Sequence, residues 1–329
     1  MMAGLEIRGL TAAIGDVALV RDVSFTVAVG ECFGLVGESG SGKSMTVKAI
    51  LGLLPPGVRI TGGQVMFGDD DLVALPQAKL ARIRGRRIAN IVQDAVSALN
   101  PVYRVGAQIG EAMLEHRVAR DRADARARAV RLMAQVGIPA PDRRVDDYPH
   151  QFSGGMCQRV VIASALSCAP EIILADEPTT ALDVTIQDQI LRLLVQLQDD
   201  LGLGLVLVTH DMGVVAQTCQ RVAVMYAGEI VETCATEELF GAPRHPYTAG
   251  LLACVPRLEG PARRLSPIPG APPDPARAPQ GCRFHPRCPL ASDLCRQTQP
   301  VLREVAPGHV ARCHHADRVD AGLWERADA

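Results

Sequence analysis

Phe33-Gly34-Leu35-Val36-Gly37-Glu38-Ser39-Gly40-Ser41-Gly42-Lys43-Ser44 decides the fold of this chain. The first four residues read as a short buried strand, and Met45 to Leu54 as a helix stopped by Pro55-Pro56-Gly57. Between them, Gly37 to Ser44 fits G-x-x-x-x-G-K-[ST] in full. Glycines let backbone N–H groups close around phosphates, and the helix N-terminus adds its positive end. Lys43 is then placed to reach β- and γ-phosphates, and Ser44 to offer its hydroxyl to Mg²⁺.

Working outward, Leu5 to Arg8 and Val23 to Val27 alternate as strands do, Gly30 marks a turn, and Gly62 to Phe67 returns to strand character. From about Val102 to Val136 the pattern is helical. Its Arg/Ala-rich stretch, Arg117 to Arg131, reads as a solvated face rather than a basic docking face, because Asp121 and Asp124 interrupt the positive run. Helices are predicted over Gln158 to Leu166 and Thr185 to Leu201, with strands at Ile172 to Ala175 and Leu205 to Thr209. Such alternation argues for a mostly parallel sheet covered on both faces.

The strand Ile172-Ile173-Leu174-Ala175 is closed by Asp176-Glu177. Phosphate-loop enzymes present one acid to magnesium and another to the attacking water in this way, which assigns Asp176 to Mg²⁺ through a water and Glu177 to the base. His210, just past the later strand, is a candidate γ-phosphate contact. Gln93, at another strand end, is a candidate sensor of magnesium and water.

The bulk numbers narrow the setting. Hydrophobic content of 48% with only 3% aromatic suits an aliphatic α/β interior in a chain of 329 residues. A net charge of −2 argues against a nucleic-acid binder working through a basic surface. The start, MMAGLEIRGL, shows neither a basic nor an apolar signal region, and no apolar run approaches the roughly 18–20 residues that span a bilayer. A cytoplasmic protein is expected, with any membrane role supplied by a partner.

In order, Gly37 to Ser44, Gln93, Ser153-Gly154-Gly155, Asp176-Glu177, Asp183 and His210 resemble an ATP-binding-cassette (ABC) ATPase over roughly residues 4–240. Ser97-Ala98-Leu99-Asn100-Pro101, the run Asp176 to Thr185, His245-Pro246-Tyr247-Thr248 and a cysteine-rich tail narrow the resemblance to the ATPase subunits of dipeptide/oligopeptide importers. The fold it implies is an α/β phosphate-loop NTPase with a mostly parallel core sheet, an N-terminal antiparallel β subdomain, an inserted helical subdomain at about 102–156 and a small C-terminal extension. Residues 1–255 would form the ATPase domain, 256–281 a linker carrying eight prolines, and 282–329 the extension.

The resemblance also implies a head-to-tail pair of cassettes. ATP and Mg²⁺ on one subunit's Gly37 to Ser44, Gln93 and Asp176 would be capped by Ser153, Gly154 and Gly155 of the other, and Asp183 joins the nucleotide-binding residues. The expected partners are a second ATPase subunit of a different type, two permease subunits and a periplasmic or extracellular solute-binding protein. The expected place is the cytoplasmic face of the inner membrane. The segment from about Asp94 to Tyr103 and the helical region to about Tyr148 would face the permease. Against the family pattern, no aromatic residue stands near Ala13 or Ile14 to stack on adenine, Ala95 replaces a proline, and Met156 and Cys157 replace polar residues. A soluble, non-transport ATPase clamp is the alternative, although such proteins carry two cassettes or a long coiled-coil insertion.

Cys282, Cys288, Cys295 and Cys313 crowd the tail, with His285, His309, His314 and His315 nearby. Cytosolic disulfides are disfavoured, and the short knuckles of zinc sites are missing. Four cysteines on a loop-like segment can wrap a [4Fe–4S] cluster, which some members of the resembled branch carry. Zn²⁺ and unligated packing thiols remain the alternatives.

Overall fold

The computed structural model describes residues 4–180, 182–255 and 267–324. The expected linker therefore lies outside the described residues as far as 266, and the extension beyond 324. In chain order the strands are β1 (Leu5–Ile14), β2 (Val17–Val27), β3 (Cys32–Val36), β4 (Val58–Phe67), β5 (Asp70–Asp71), β6 (Ile88–Ile91), β7 (Ile172–Asp176), β8 (Gly204–Thr209), β9 (Arg221–Tyr226), β10 (Glu229–Ala235), β11 (Arg303–Ala306) and β12 (His309–Ala311). The chain divides into two compact units: Met1–Leu5, Val27–Cys32 and Ala74–Val208 form the first, and Glu6–Thr26, Phe33–Val73 and Thr209–Ala329 the second.

In the first unit β6, β7 and β8 pair in parallel, with Ile88 opposite Ile172 and Ile173 opposite Leu205. Every residue of β7 and β8 is buried, as continuous apolar runs require when both faces of a parallel sheet are covered. The helical pattern over Val102 to Val136 resolves into two helices, Val105–Glu115 and Arg122–Gln135. Arg117, at φ +56°, breaks the path between them. Asp121 caps the second helix by accepting the Asp124 N–H at 2.8 Å, and Asp124 pairs with Arg128 at 3.1 Å. The acids that interrupt the basic run thus start and brace a helix whose inward residues are Ala125, Ala129 and Met133.

Two further helices start sooner than the apolar pattern suggests. Gly154–Leu166 begins at the small-residue turn because Ser153 caps it, and Val184–Leu201 begins behind Asp183. A Cβ at Gly155 would stand 2.6 Å from Ile186 Cγ2, so glycine is what lets these two helix starts approach.

The second unit holds a four-stranded sheet in the order β2-β1-β4-β5, opened by a hairpin turn at Gly15-Asp16. It also holds β3 paired in parallel with β9, then antiparallel β9–β10, β10–β12 and β12–β11. The tail therefore adds two strands to the edge of β10. The helix after the phosphate loop is Lys43–Ile50, ending before Leu54 because Gly52 turns left-handed at φ +61° and its N–H returns to Ala49 O.

Three buried arginines of the tail reach other parts of the second unit. Arg283 pairs with Glu229 at 3.1 Å and donates to Ala227 O. Arg312 donates to Ile230 O at 3.1 Å and to Asp22 at 2.9 Å. Arg287 reaches Glu38.

Candidate functional site

The phosphate loop runs from the end of β3 into the helix Lys43–Ile50. Gly37 is at φ +153°, and a Cβ there would stand 2.1 Å from Met225 O. No other residue fits. Buried Lys43 donates from Nζ to Gly37 O at 2.7 Å and Glu38 O at 3.0 Å, which curls the loop around its own cation. Gly228 N–H, from the turn between β9 and β10, supports Ser41 O at 2.8 Å. Ser41 Oγ is buried with no hydrogen-bond partner among the described residues. A cradle of loop N–H groups with an unmatched hydroxyl and a lysine suits phosphate oxygens.

Glu38, inside the loop, is held from both sides. Its N–H donates to Tyr247 Oη at 2.8 Å, and its carboxylate takes two bonds from Arg287, at 2.7 and 2.9 Å. Arg287 also lies over the Tyr226 and Phe284 rings, within an aromatic cluster completed by Tyr247. Burial pushes the Tyr247 hydroxyl far above its ordinary range, so it stays protonated. His245, wholly buried, accepts the Tyr247 N–H at Nδ1, and burial lowers its pKa to about 3.

In the first unit Glu177 follows β7 with φ +47°, a left-handed conformation that a glutamate adopts only when its surroundings impose it. Its N–H is tied to Val208 O at 3.0 Å. Its carboxylate accepts from Gln93 Nε2 at 2.9 Å and Thr180 Oγ1 at 2.9 Å. Asp176 ends β7, buried and paired in register with Val208. Ser153 Oγ accepts the Met156 N–H at 3.4 Å, and exposed Asp183 accepts the Ile186 N–H at 3.0 Å.

Gln93, Ser153, Gly154, Gly155, Asp176, Glu177 and Asp183 belong to the first unit; Gly37 to Ser44 and exposed His210 belong to the second. Tyr247, Arg287 and Thr180 escaped sequence reasoning. Tyr247 had a signal in the His245-Pro246-Tyr247-Thr248 run, and Thr180 in its place three residues past Glu177. Arg287, between two cysteines, had none.

The four tail cysteines form no disulfide. The Cys313 sulfur accepts the His315 N–H at 3.3 Å, while the His285 N–H is taken by the Cys282 carbonyl. Burial pushes the Cys282, Cys288 and Cys313 thiols up to about 11, 12 and 12, and the neighbouring cysteines add to the rise. Among the described residues, the one group of three or more ligand-type atoms lying within 4.8 Å of one another is Glu232, Cys234 and His309. There the carboxylate is already satisfied by the Arg244 and His245 N–H groups and by His309 Nε2.

A family model described as ABC transporter matches residues 20–180, and one described as oligopeptide/dipeptide transporter, C-terminal region, matches residues 231–295. A probable peptide ABC transporter ATP-binding protein of Sinorhizobium fredii is 49% identical over 322 residues, covering 96% of each chain. A dipeptide transport ATP-binding protein of Bacillus subtilis is 48% identical, covering 92% of this chain and 91% of its own. An oligopeptide transport ATP-binding protein of Salmonella typhimurium is 45% identical, covering 91% and 88%. Among solved structures, the dimeric ATP-binding cassette MJ0796 bound to ADP and Pi superposes with a TM-score of 0.63 at 29% identity, covering 70% of this chain and 98% of that one. No helix among the described residues is long and apolar enough to cross a membrane. The chain belongs to the ABC-transporter ATPases, as an ATP-binding subunit of the oligopeptide/dipeptide transporter type.

Proposed function

We propose that this chain hydrolyses ATP to drive import of peptides or similar small solutes, with Glu177 as the general base. The observation that carries the assignment is the Glu177 carboxylate itself, held in a left-handed backbone and oriented by Gln93 and Thr180. Gly37 to Ser44 hold the phosphates, with Lys43 on the β- and γ-oxygens, and His210 contacts the γ-phosphate. Ser44 and Asp176 are the residues to hold Mg²⁺, with Gln93 sensing it; the ion would offset charge on the phosphate oxygens. Glu177 takes the proton of a water whose oxygen bonds to the γ-phosphorus while the bond to the bridging oxygen breaks and ADP leaves. Glu177→Gln is expected to cut steady-state turnover at least 100-fold while retaining ATP binding. Turnover within a few-fold of the unsubstituted protein would reject Glu177 as base.

Ser153, Gly154, Gly155 and Asp183 serve the nucleotide of a second ATPase subunit, which we take to be of a different type. Permease contact falls to the segment after Gln93, at the cytoplasmic face of the membrane, with a solute-binding protein completing the importer. Val96, Val102 and Tyr103 are 59%, 70% and 60% exposed there, on a segment fixed by Gln108 bonds to Asn100 and Tyr103. A cavity of about 520 Å³ lined by Tyr103, Arg104, Gln108 and Leu114 adjoins it. In domain terms, residues 1–255 act as the ATPase body and 282–329 as its extension.

For the tail, a [4Fe–4S] cluster on Cys282, Cys288, Cys295 and Cys313 fits better than a single Zn²⁺. Tetrahedral zinc with Zn–S near 2.3 Å needs sulfurs about 3.8 Å apart. The ligand-type atoms that converge within 4.8 Å of one another among the described residues do not include these four sulfurs. The His315 N–H on the Cys313 sulfur suits a thiolate. The cluster would cross-link a tail with little core of its own. Protein purified without oxygen is expected to carry about four irons per chain; one zinc and no iron would reject the cluster.

A further inference from the structure

The phosphate loop carries an acid, Glu38, where a polyanionic nucleotide is to bind. Left free, that carboxylate would repel the phosphates. The five N–H donors of Arg287 are committed around it: Nη1 and Nη2 to the two Glu38 oxygens, Nη1 also to Tyr226 Oη at 3.4 Å, Nε to Pro269 O at 2.8 Å, and Nη2 also to Ile268 O at 3.4 Å. The guanidinium side chain is 5% exposed, so its direction is fixed by packing. Lys43 is bonded to the carbonyl of Glu38 itself, which makes the placement of Glu38 the placement of the loop's cation.

We propose that Arg287 is a positioning residue for the phosphate loop: by neutralising and turning aside Glu38, the cysteine-rich tail sets how tightly its own chain takes ATP. The inference rests on the ATP-binding reading of Gly37 to Ser44. It assigns the tail a part in nucleotide binding that depends on one ion pair between residues 249 positions apart. An arginine is required, because two parallel N–H bonds and ring stacking exceed what a lysine can offer.

Equilibrium binding of a fluorescent, non-hydrolysable ATP analogue with Mg²⁺ to the full chain tests it. Arg287→Ala exposes the Glu38 charge and is expected to weaken binding about tenfold. Adding Glu38→Gln to that variant removes the charge and should restore affinity to within about threefold of the unsubstituted chain. Loss of a merely structural arginine could not be repaired in this way. Arg287→Met keeps an apolar stem against Tyr226 and Phe284, and takes the place of Arg287→Ala if the latter does not fold. Unchanged affinity in the arginine variants, or a double variant as weak as the single one, overturns the proposal. Failure of the unsubstituted chain to bind the analogue overturns the ATPase reading, and the proposal with it.

Discussion

In the first unit, the residues that start the two functional helices are held by their near neighbours: Ser153 accepts an N–H three residues on, Asp183 does the same, and Thr180 reaches back three residues to Glu177. In the second unit, the phosphate loop is held by Tyr247 and Arg287, 209 and 249 positions downstream of Glu38. Local placement tolerates change in the rest of the chain. Long-range placement ties nucleotide binding to the folding of the tail, and it makes that tail the more sensitive region.

The largest expected effect lies where the tail grips the cassette. Arg283→Ala would leave the Glu229 carboxylate buried with its main cationic partner gone, at a cost of about 3 kcal/mol in unfolding free energy. Chemical denaturation monitored through Trp324, whose Nε1–H bonds Pro246 O within the same unit, reports on this region directly. A loss below about 1 kcal/mol would mean that the tail is only loosely tied.

A middle-sized effect comes from His245, the buried cap that positions Tyr247. Burial holds its folded pKa near 3, below the ordinary histidine value of about 6.5, so the unfolded chain binds the proton first as pH falls. Its contribution to stability is therefore fully present above about pH 6.5, declines below it and levels off near pH 3. Asparagine can keep the cap without titrating. Between pH 6.5 and 5, the unsubstituted protein should lose more stability than His245→Asn, by on the order of 1–2 kcal/mol. Parallel pH profiles would remove His245 from the account.

The smallest effect belongs to the first unit. Ser153→Ala deletes a cap whose hydrogen bond is long, 3.4 Å, and should cost about 0.5–1 kcal/mol of fold stability. A cost equal to that of Arg283→Ala would erase the contrast between local and long-range placement.

The same contrast explains what could be read in the sequence. The phosphate loop, the acid-ended strand β7 and the Ser153 turn are contiguous patterns set by backbone geometry and local caps, so their residues announce themselves. Helix limits were less legible. Gly52 ends the first helix before the prolines do, and Asp121 restarts a helical run that periodicity alone reads as continuous. The pairing of β12 with β10 and the reach of Arg287 to Glu38 have no local signature. An arginine between cysteines looks the same whether it faces solvent or another part of the fold.

We propose that this chain carries two complementary half-sites, Gly37 to Ser44 with Glu177 for its own nucleotide and Ser153 to Gly155 for that of a second subunit. The most direct test measures ATP hydrolysis per chain while the oligomeric state is followed over a range of concentrations. Negligible turnover is expected from the monomer, with activity appearing only as chains pair or a second ATPase subunit is added. Full turnover in a demonstrated monomer would contradict it.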